Sequence, residues 1–180
     1  MDRHVKEQQR AELHKTIWQV ANDLRGSVDG WDFKSYVLGM LFYRFISENL
    51  TSYINTGEHE AGNAEFDFAQ LADDEAEFAR EEIVKEKGFF IRPSELFENV
   101  RKRAPQDENL NETLGRIFKD IEGSAAGTDS EDDLKGLFDD LNVNSTKLGN
   151  TVAKRNAKMV KLLDAIGDLP LGGKFSDNSI

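Results

Sequence analysis

Residues 13–54, LHKTIWQVANDLRGSVDGWDFKSYVLGMLFYRFISENLTSYI, decide the fold. They read as two helices joined by a Gly-marked turn. In the first, Leu13, Ile17, Val20 with Ala21, and Leu24 recur at steps of three and four, the spacing of one helix face. Gly26 and Gly30 bracket the turn, and Asp29 or Asp32 is placed to cap the next helix. From Tyr36 to Ile46, nine of eleven residues are apolar, with Arg44 interrupting the run. A helix apolar on nearly every side must be surrounded by protein or lipid. The run falls well short of the ~20 residues needed to span a bilayer. It therefore reads as the central buried strut of an all-α, multi-helix bundle.

Working outward, helices are predicted near 5–25, 32–55, 72–87, 94–104, 108–123, 129–140 and 148–167. Thr128 and Glu131 have capping-box spacing, and Pro93-Ser94 suits a helix start. Asn55–Ala64 and Gly123–Gly127 read as surface loops. Gly88–Ile91 is a short extended link, at most one very short strand. Residues 1–170 read as one helical domain and 171–180, GGKFSDNSI with its preceding Leu, as a linker leading elsewhere.

A chain of 180 residues suits one domain. At this size it buries roughly 70% of its unfolded surface and needs no staples. It has no cysteine, which excludes disulfides and thiolate metal sites and suits a reducing compartment. MDRHVKEQQR lacks the apolar core of a signal peptide, and no membrane span follows. The expectation is a soluble, cytoplasmic protein with no membrane partner. The net charge of −11 argues against a free-standing nonspecific DNA binder. Local sign varies along the chain. Residues 58–82 hold ten acids and one base, residues 120–140 eight acids and one base, and residues 147–168 five bases and two acids.

No catalytic constellation is evident. His4, His14 and His59 lack metal-ligand spacing. No Gly-x-Ser-x-Gly elbow occurs. Asp73-Asp74-Glu75 and Asp132-Asp133 lack the pattern of a calcium loop and read as solvated faces. Catalytic, metal and cofactor residues are therefore expected to be none in these 180 residues.

Two basic features are candidates for binding nucleic acid or a partner. On the last helix, Val152, Met159, Leu163 and Ile166 fall on one side, while Lys154, Lys158 and Lys161 share an arc of roughly 60° on the other. Lys147 joins them if the helix starts early, and Arg155 lies nearer the apolar edge. The ridge suits DNA phosphate, an acidic partner, or simply solvent. Arg101, Lys102 and Arg103 form the second cluster at a helix end, where cations complement the helix dipole. Asn156, at the edge of the apolar side, would need amide partners if buried and so would tie its helix to a neighbouring backbone. The aromatics coincide with the apolar periodicity and read as core, although Phe89-Phe90 in an extended link point to opposite sides, leaving one for another subunit.

Three ordered segments carry a family resemblance: DLRGSVDGWDFKSYVLGMLFYRFISENL at 23–50, EKGFFIRPSELF at 86–97 and LNVNSTKLGNTVAKRNAKMVKLLDAIGDL at 141–169. They resemble the N-terminal helical domain of the modification (methyltransferase, HsdM) subunit of type I restriction-modification systems. The acidic stretch at 57–82 has no counterpart in that resemblance. The resemblance implies a parent enzyme that moves a methyl group from S-adenosylmethionine to adenine N6 in DNA. It implies as partners DNA, a specificity subunit, a second modification subunit and a restriction subunit. The N-terminal domain would clamp DNA and assemble subunits, or assemble them without touching DNA. The chemistry would lie in a following α/β domain. In keeping with that, no Asn-Pro-Pro-aromatic turn exists, because no two prolines are adjacent. Gly172-Gly173 follows a helix and Pro170, not a strand.

Overall fold

The computed structural model describes residues 32–139 and 141–169. The first expected helix, the turn at 26–31 and the linker from 171 lie outside them. The described residues hold seven α-helices and no strand: α1 (Asp32–Glu60), α2 (Asp73–Ala76), α3 (Arg80–Lys87), α4 (Phe97–Arg103), α5 (Leu110–Ser124), α6 (Glu131–Asp139) and α7 (Val152–Gly167), with single 3-10 turns between several of them.

The apolar run becomes the strut that its composition demands. Helix α1 is about 43 Å long at 1.5 Å per residue. Tyr36, Val37, Met40, Leu41, Tyr43, Ile46 and Leu50 are buried. Helices α4 and α7 pack against it, α5 packs on α7, and α6 on α5. Tyr43 sits edge-on to Phe97 (5.4 Å) and Phe118 (5.6 Å), and its hydroxyl donates to the Glu95 carbonyl. Ser47 Oγ accepts from Phe97 N at 3.1 Å, which holds the entry of α4 against the strut. Arg44, the polar break in the run, is also buried. Its Nη1 donates to the carbonyls of Ile166 (2.6 Å) and Leu169 (2.9 Å), and its Nε to Glu48. It thus caps the last turn of α7, whose orphan carbonyls need donors.

Helix α1 runs to Glu60, five residues beyond the expected end, so six of the ten residues foreseen as a loop at 55–64 are helix. The acidic insert folds back on this end and satisfies it. Asn55 accepts from Phe68 N (2.8 Å) and donates to Asp67, and His59 meets the Phe66 carbonyl. Gly62, at φ +104°, then reverses the chain. The insert is anchored rather than loose. Phe68 is buried edge-on to Phe90, the Asp73 carboxylate takes both the backbone N–H and the hydroxyl of Ser94, and Glu77 takes Arg80 and Arg92. Where one helix is predicted over 72–87, a 3-10 turn at Glu77–Ala79 separates α2 from α3.

The link at 88–91 opens on Gly88 in the left-handed conformation (φ +90°), which closes α3, and it pairs with no strand among the described residues. Phe90 N donates to Ser124 Oγ at 2.9 Å, so a side chain at the end of α5 does the work of a ladder. Phe89 and Phe90 are both buried, so neither is left for another subunit. The helix predicted at 94–104 is also divided. A 3-10 turn at Pro93–Glu95 precedes an extended Leu96, and α4 begins at Phe97. The expected capping box does not form, because α6 starts only at Glu131. Thr128 Oγ1 accepts from Ser130 N, and Glu131 reaches Gly127 N instead of its capping partner.

Candidate nucleic-acid or partner interface

Helix α7 is fixed by its inner face. Asn156, Met159, Leu162, Leu163 and Ile166 are buried. Asn156 Oδ1 accepts from Asn111 N (3.1 Å), one of the free amides at the start of α5, and its Nδ2 donates to Glu108 O (3.0 Å). The residue ties two helices together, as the sequence led us to expect. Thr151 Oγ1 caps the helix by accepting from Lys154 N. Val152, expected on the apolar side, is the first residue of the helix and is 43% exposed.

With the inner face locked, the outer face is determined. Lys154 and Lys161 are exposed and Lys158 is half-buried beside them. Lys147 is exposed on the separate 3-10 turn Thr146–Leu148, not on α7. Arg155 turns off the ridge. It is half-buried, its Nη1 donates to the Asn144 carbonyl (3.2 Å), and its Nε is buried without a hydrogen-bond partner. The two acids of α7's C-terminal end, Asp164 and Asp168, both bind Arg101, which offsets part of their charge.

The second cluster splits three ways. Arg101 is half-buried between Asp164 (3.3 Å), Asp168 and Glu98 (3.5 Å). Burial alone would lower its pKa, but the hydrogen bonds it donates to Asp164 and Asp168 outweigh that and raise it. It reaches α7 across Gly167, where an added Cβ would lie 2.5 Å from Arg101 Nη1. Lys102 is exposed and lines a groove of about 710 Å³ between α1, the turn at Phe68–Gln70 and α4. Arg103 is exposed and donates to the Ser94 carbonyl at 2.6 Å. The structure thus brings Lys154, Lys158 and Lys161 together and disperses Arg101, Lys102 and Arg103.

A group that the sequence did not single out is Glu95, only 5% exposed. Burial, followed by a hydrogen bond to Asp120, raises its pKa to about 8, against the pull of Arg92. Arg92 bridges Asp120, Glu95 and Glu77. Glu77 is held at about 2, chiefly by its bonds from Arg80, with burial opposing and Arg92 assisting. One basic residue thereby fastens the acidic insert to α5. No sequence signal marks it, because Glu95 looks like an ordinary helix-start acid. Among the described residues no group of three or more His, Cys, Asp or Glu is arranged to hold a metal ion. No described helix is long and apolar enough to cross a membrane.

The family model of the HsdM N-terminal domain matches residues 13–166. The type I restriction enzyme MpnII methylase subunit of Mycoplasma pneumoniae is 47% identical over 180 residues, which take in 96% of this chain and 33% of that protein. The crystal structure of the type I restriction-modification system methyltransferase subunit from Streptococcus thermophilus has the same fold. Its TM-score is 0.70 at 26% identity, over 91% of this chain and 35% of that one. The chain spans about a third of the length of these relatives. A helical strut, its capped partner α7 and a family match across nearly all of both lead to one assignment: the chain belongs to the HsdM N-terminal domain family.

Proposed function

We propose that this chain is the DNA-clamping and subunit-assembly domain of a type I restriction-modification adenine-N6 methyltransferase subunit, without chemistry of its own. Lys154, Lys158 and Lys161 on the outer face of α7 carry the reading. Their helix is pinned from behind by Asn156 and Arg44, and Arg101 takes up its acids, so the ridge is a stiff cationic strip on an otherwise acidic domain. Such a strip would position a duplex through phosphate and would not read sequence. Lys147 would extend it at one end. Sequence choice would belong to a specificity subunit, and a second modification subunit would close the other side of the duplex. The described residues contain no strand after which a Gly-rich nucleotide turn could sit. In this reading S-adenosylmethionine would be held by another part of the subunit.

The test is charge reversal of Lys154, Lys158 and Lys161 to Glu in the assembled enzyme. Loss of three phosphate contacts should flatten the log K against log salt slope by about 2–3. An unchanged affinity and slope would remove the ridge from the DNA interface. A second reading is favoured by the ten acids at 58–82, which suit protein contact and repel phosphate. Here the domain would assemble subunits without touching DNA. Titrating the domain against duplex DNA and against a specificity subunit separates the two readings.

A further inference from the structure

Phe78 is the most exposed large apolar side chain among the described residues, at 94%. It sits in the 3-10 turn Glu77–Ala79 of the acidic insert, between α2 and α3. A single apolar residue on a surface is ordinary. Phe78 is set apart by how it is mounted and by what surrounds it.

The mounting is stiff. Ala76 and Ile83, on either side of the turn, are buried. The Asp73 carboxylate accepts from Ser94 N at 2.9 Å. Glu77 is fastened to Arg80 (2.7 Å) and Arg92 (3.1 Å), and Arg80 lies 4.5 Å from the centre of the Phe90 ring. The turn cannot swing Phe78 inward without breaking these contacts. Little freedom is left to lose on binding, which favours an anchor.

The surroundings are acidic. Ala76, Glu77, Ala79 and Arg80 all have right-handed helical backbone, so helical neighbours persist through the turn. Residues three and four positions away therefore share the face of Phe78. Those positions are Asp74, Glu75, Glu81 and Glu82, all exposed. An aromatic ring inside a collar of four carboxylates fits an apolar socket rimmed by lysine or arginine. A cation on such a rim is attracted both by the collar and by the ring face. The collar repels phosphate, which argues against DNA. A second copy of this domain is a poor match among the described residues. The groove beside Phe42 is rimmed by Asp132 and Asp133, and the groove beside Lys102 carries Glu48, Asp67 and Glu98. The lysine ridge of α7 is the convex outer face of a helix, not a recess.

We infer that Phe78 is an aromatic anchor by which the acidic insert docks into an apolar, Lys- or Arg-rimmed socket on a different polypeptide of the assembled enzyme. This rests on the assembly part of the proposed function and is independent of the lysine ridge.

The native chain has no cysteine, so Phe78→Cys places one thiol at the anchor. Its alkylation, read on its own peptide by mass spectrometry, should be fast in the free chain and slow in the assembled enzyme. Benzophenone maleimide on the same thiol should photo-cross-link to another polypeptide, at an apolar residue flanked by Lys or Arg. Phe78→Ala should weaken assembly by about 30-fold or more, as a hot-spot residue does, with an unchanged urea midpoint because the ring is exposed. Glu81→Gln/Glu82→Gln should slow association and flatten its salt dependence. Equal alkylation rates, cross-links to DNA, to a second copy or within the same chain, or Phe78→Ala assembling as wild type would overturn the anchor. An association rate untouched by Glu81→Gln/Glu82→Gln would overturn the basic rim. If the unmodified chain assembles normally in those cases, only the anchor falls; if it joins no subunit at all, the assembly reading falls with it.

Discussion

Arg44→Met offers the sharpest test of how the strut and α7 are joined. Methionine keeps most of the aliphatic volume, so the change isolates the guanidinium. The loss includes two charge-assisted bonds to the carbonyls of Ile166 and Leu169. Each such bond contributes about 1.5–3 kcal/mol, the lower end applying because Leu169 is half-buried. The Ile166 carbonyl keeps Leu169 N at 3.3 Å and is not fully orphaned. The pair with Glu48 adds little, since that carboxylate is 36% exposed. Removing a buried cation returns some desolvation energy, but Arg44 lines an open groove, so the return is small. The net cost is on the order of 2–3 kcal/mol. With a urea slope of about 2 kcal/mol/M, the unfolding midpoint should fall by about 1–1.5 M. Arg44→Lys, which keeps the charge but not the fork, should fall between the two. Amides in the last turn of α7 should exchange faster than those of α5. A midpoint for Arg44→Met equal to or above wild type would refute the capping argument.

Gly39→Ala should destabilise by about 1–3 kcal/mol despite the better helix propensity of alanine, because close packing resists the added methyl. Its Cβ would lie 2.4 Å from Leu141 Cδ1, and pairing it with Leu141→Ala should recover part of the loss in the same urea titration. Asn156→Ala strips the cap from Asn111 N and should lower the melting temperature by roughly 3–8 °C, from about 1–3 kcal/mol. For pH, Glu95 is raised from 4.5 to about 8, so the native state binds the extra proton. Its contribution is complete below pH 4.5 and is lost as pH rises through about 8. Urea midpoints should fall between pH 5 and 9, and Glu95→Gln should flatten that fall. Glu77, depressed from 4.5 to about 2, acts in the opposite sense, losing its contribution only as pH drops from 4.5 toward 2.

Much of this architecture is written in local pattern. The apolar density of Tyr36–Ile46 demands surroundings on all sides whatever the neighbours are, and α1 is accordingly central. The period of α5 places Leu110, Leu114, Ile117, Phe118 and Ile121 on one face, and that face is buried. The lysine arc on α7 follows in the same way, because helical geometry puts it opposite Met159 and Leu163. Element ends were read less well, since they depend on distant partners. Helix α1 outruns its expected end because Asp67 and Phe68, from the insert, satisfy Asn55. The helix expected over 94–104 breaks at Leu96, in step with the Ser47 contact to Phe97 N.

Charge was legible only as a sum along the chain, and its pairing was not. Arg101, Lys102 and Arg103 are one cluster in the sequence, yet in space they serve α7's acids, a groove and a loop carbonyl respectively. Glu95 looks like a helix-start acid and becomes a buried, proton-holding group only once Asp120 and Arg92 come beside it. Phe89 and Phe90, separable by strand alternation, are both buried, Phe90 edge-on to Phe68 with its backbone N–H held by Ser124. Periodicity and composition are properties of neighbouring residues, so the sequence by itself determined the helices, the strut and the basic ridge. Burial, partner choice and protonation depend on residues tens of positions away, and only the tertiary structure could decide them.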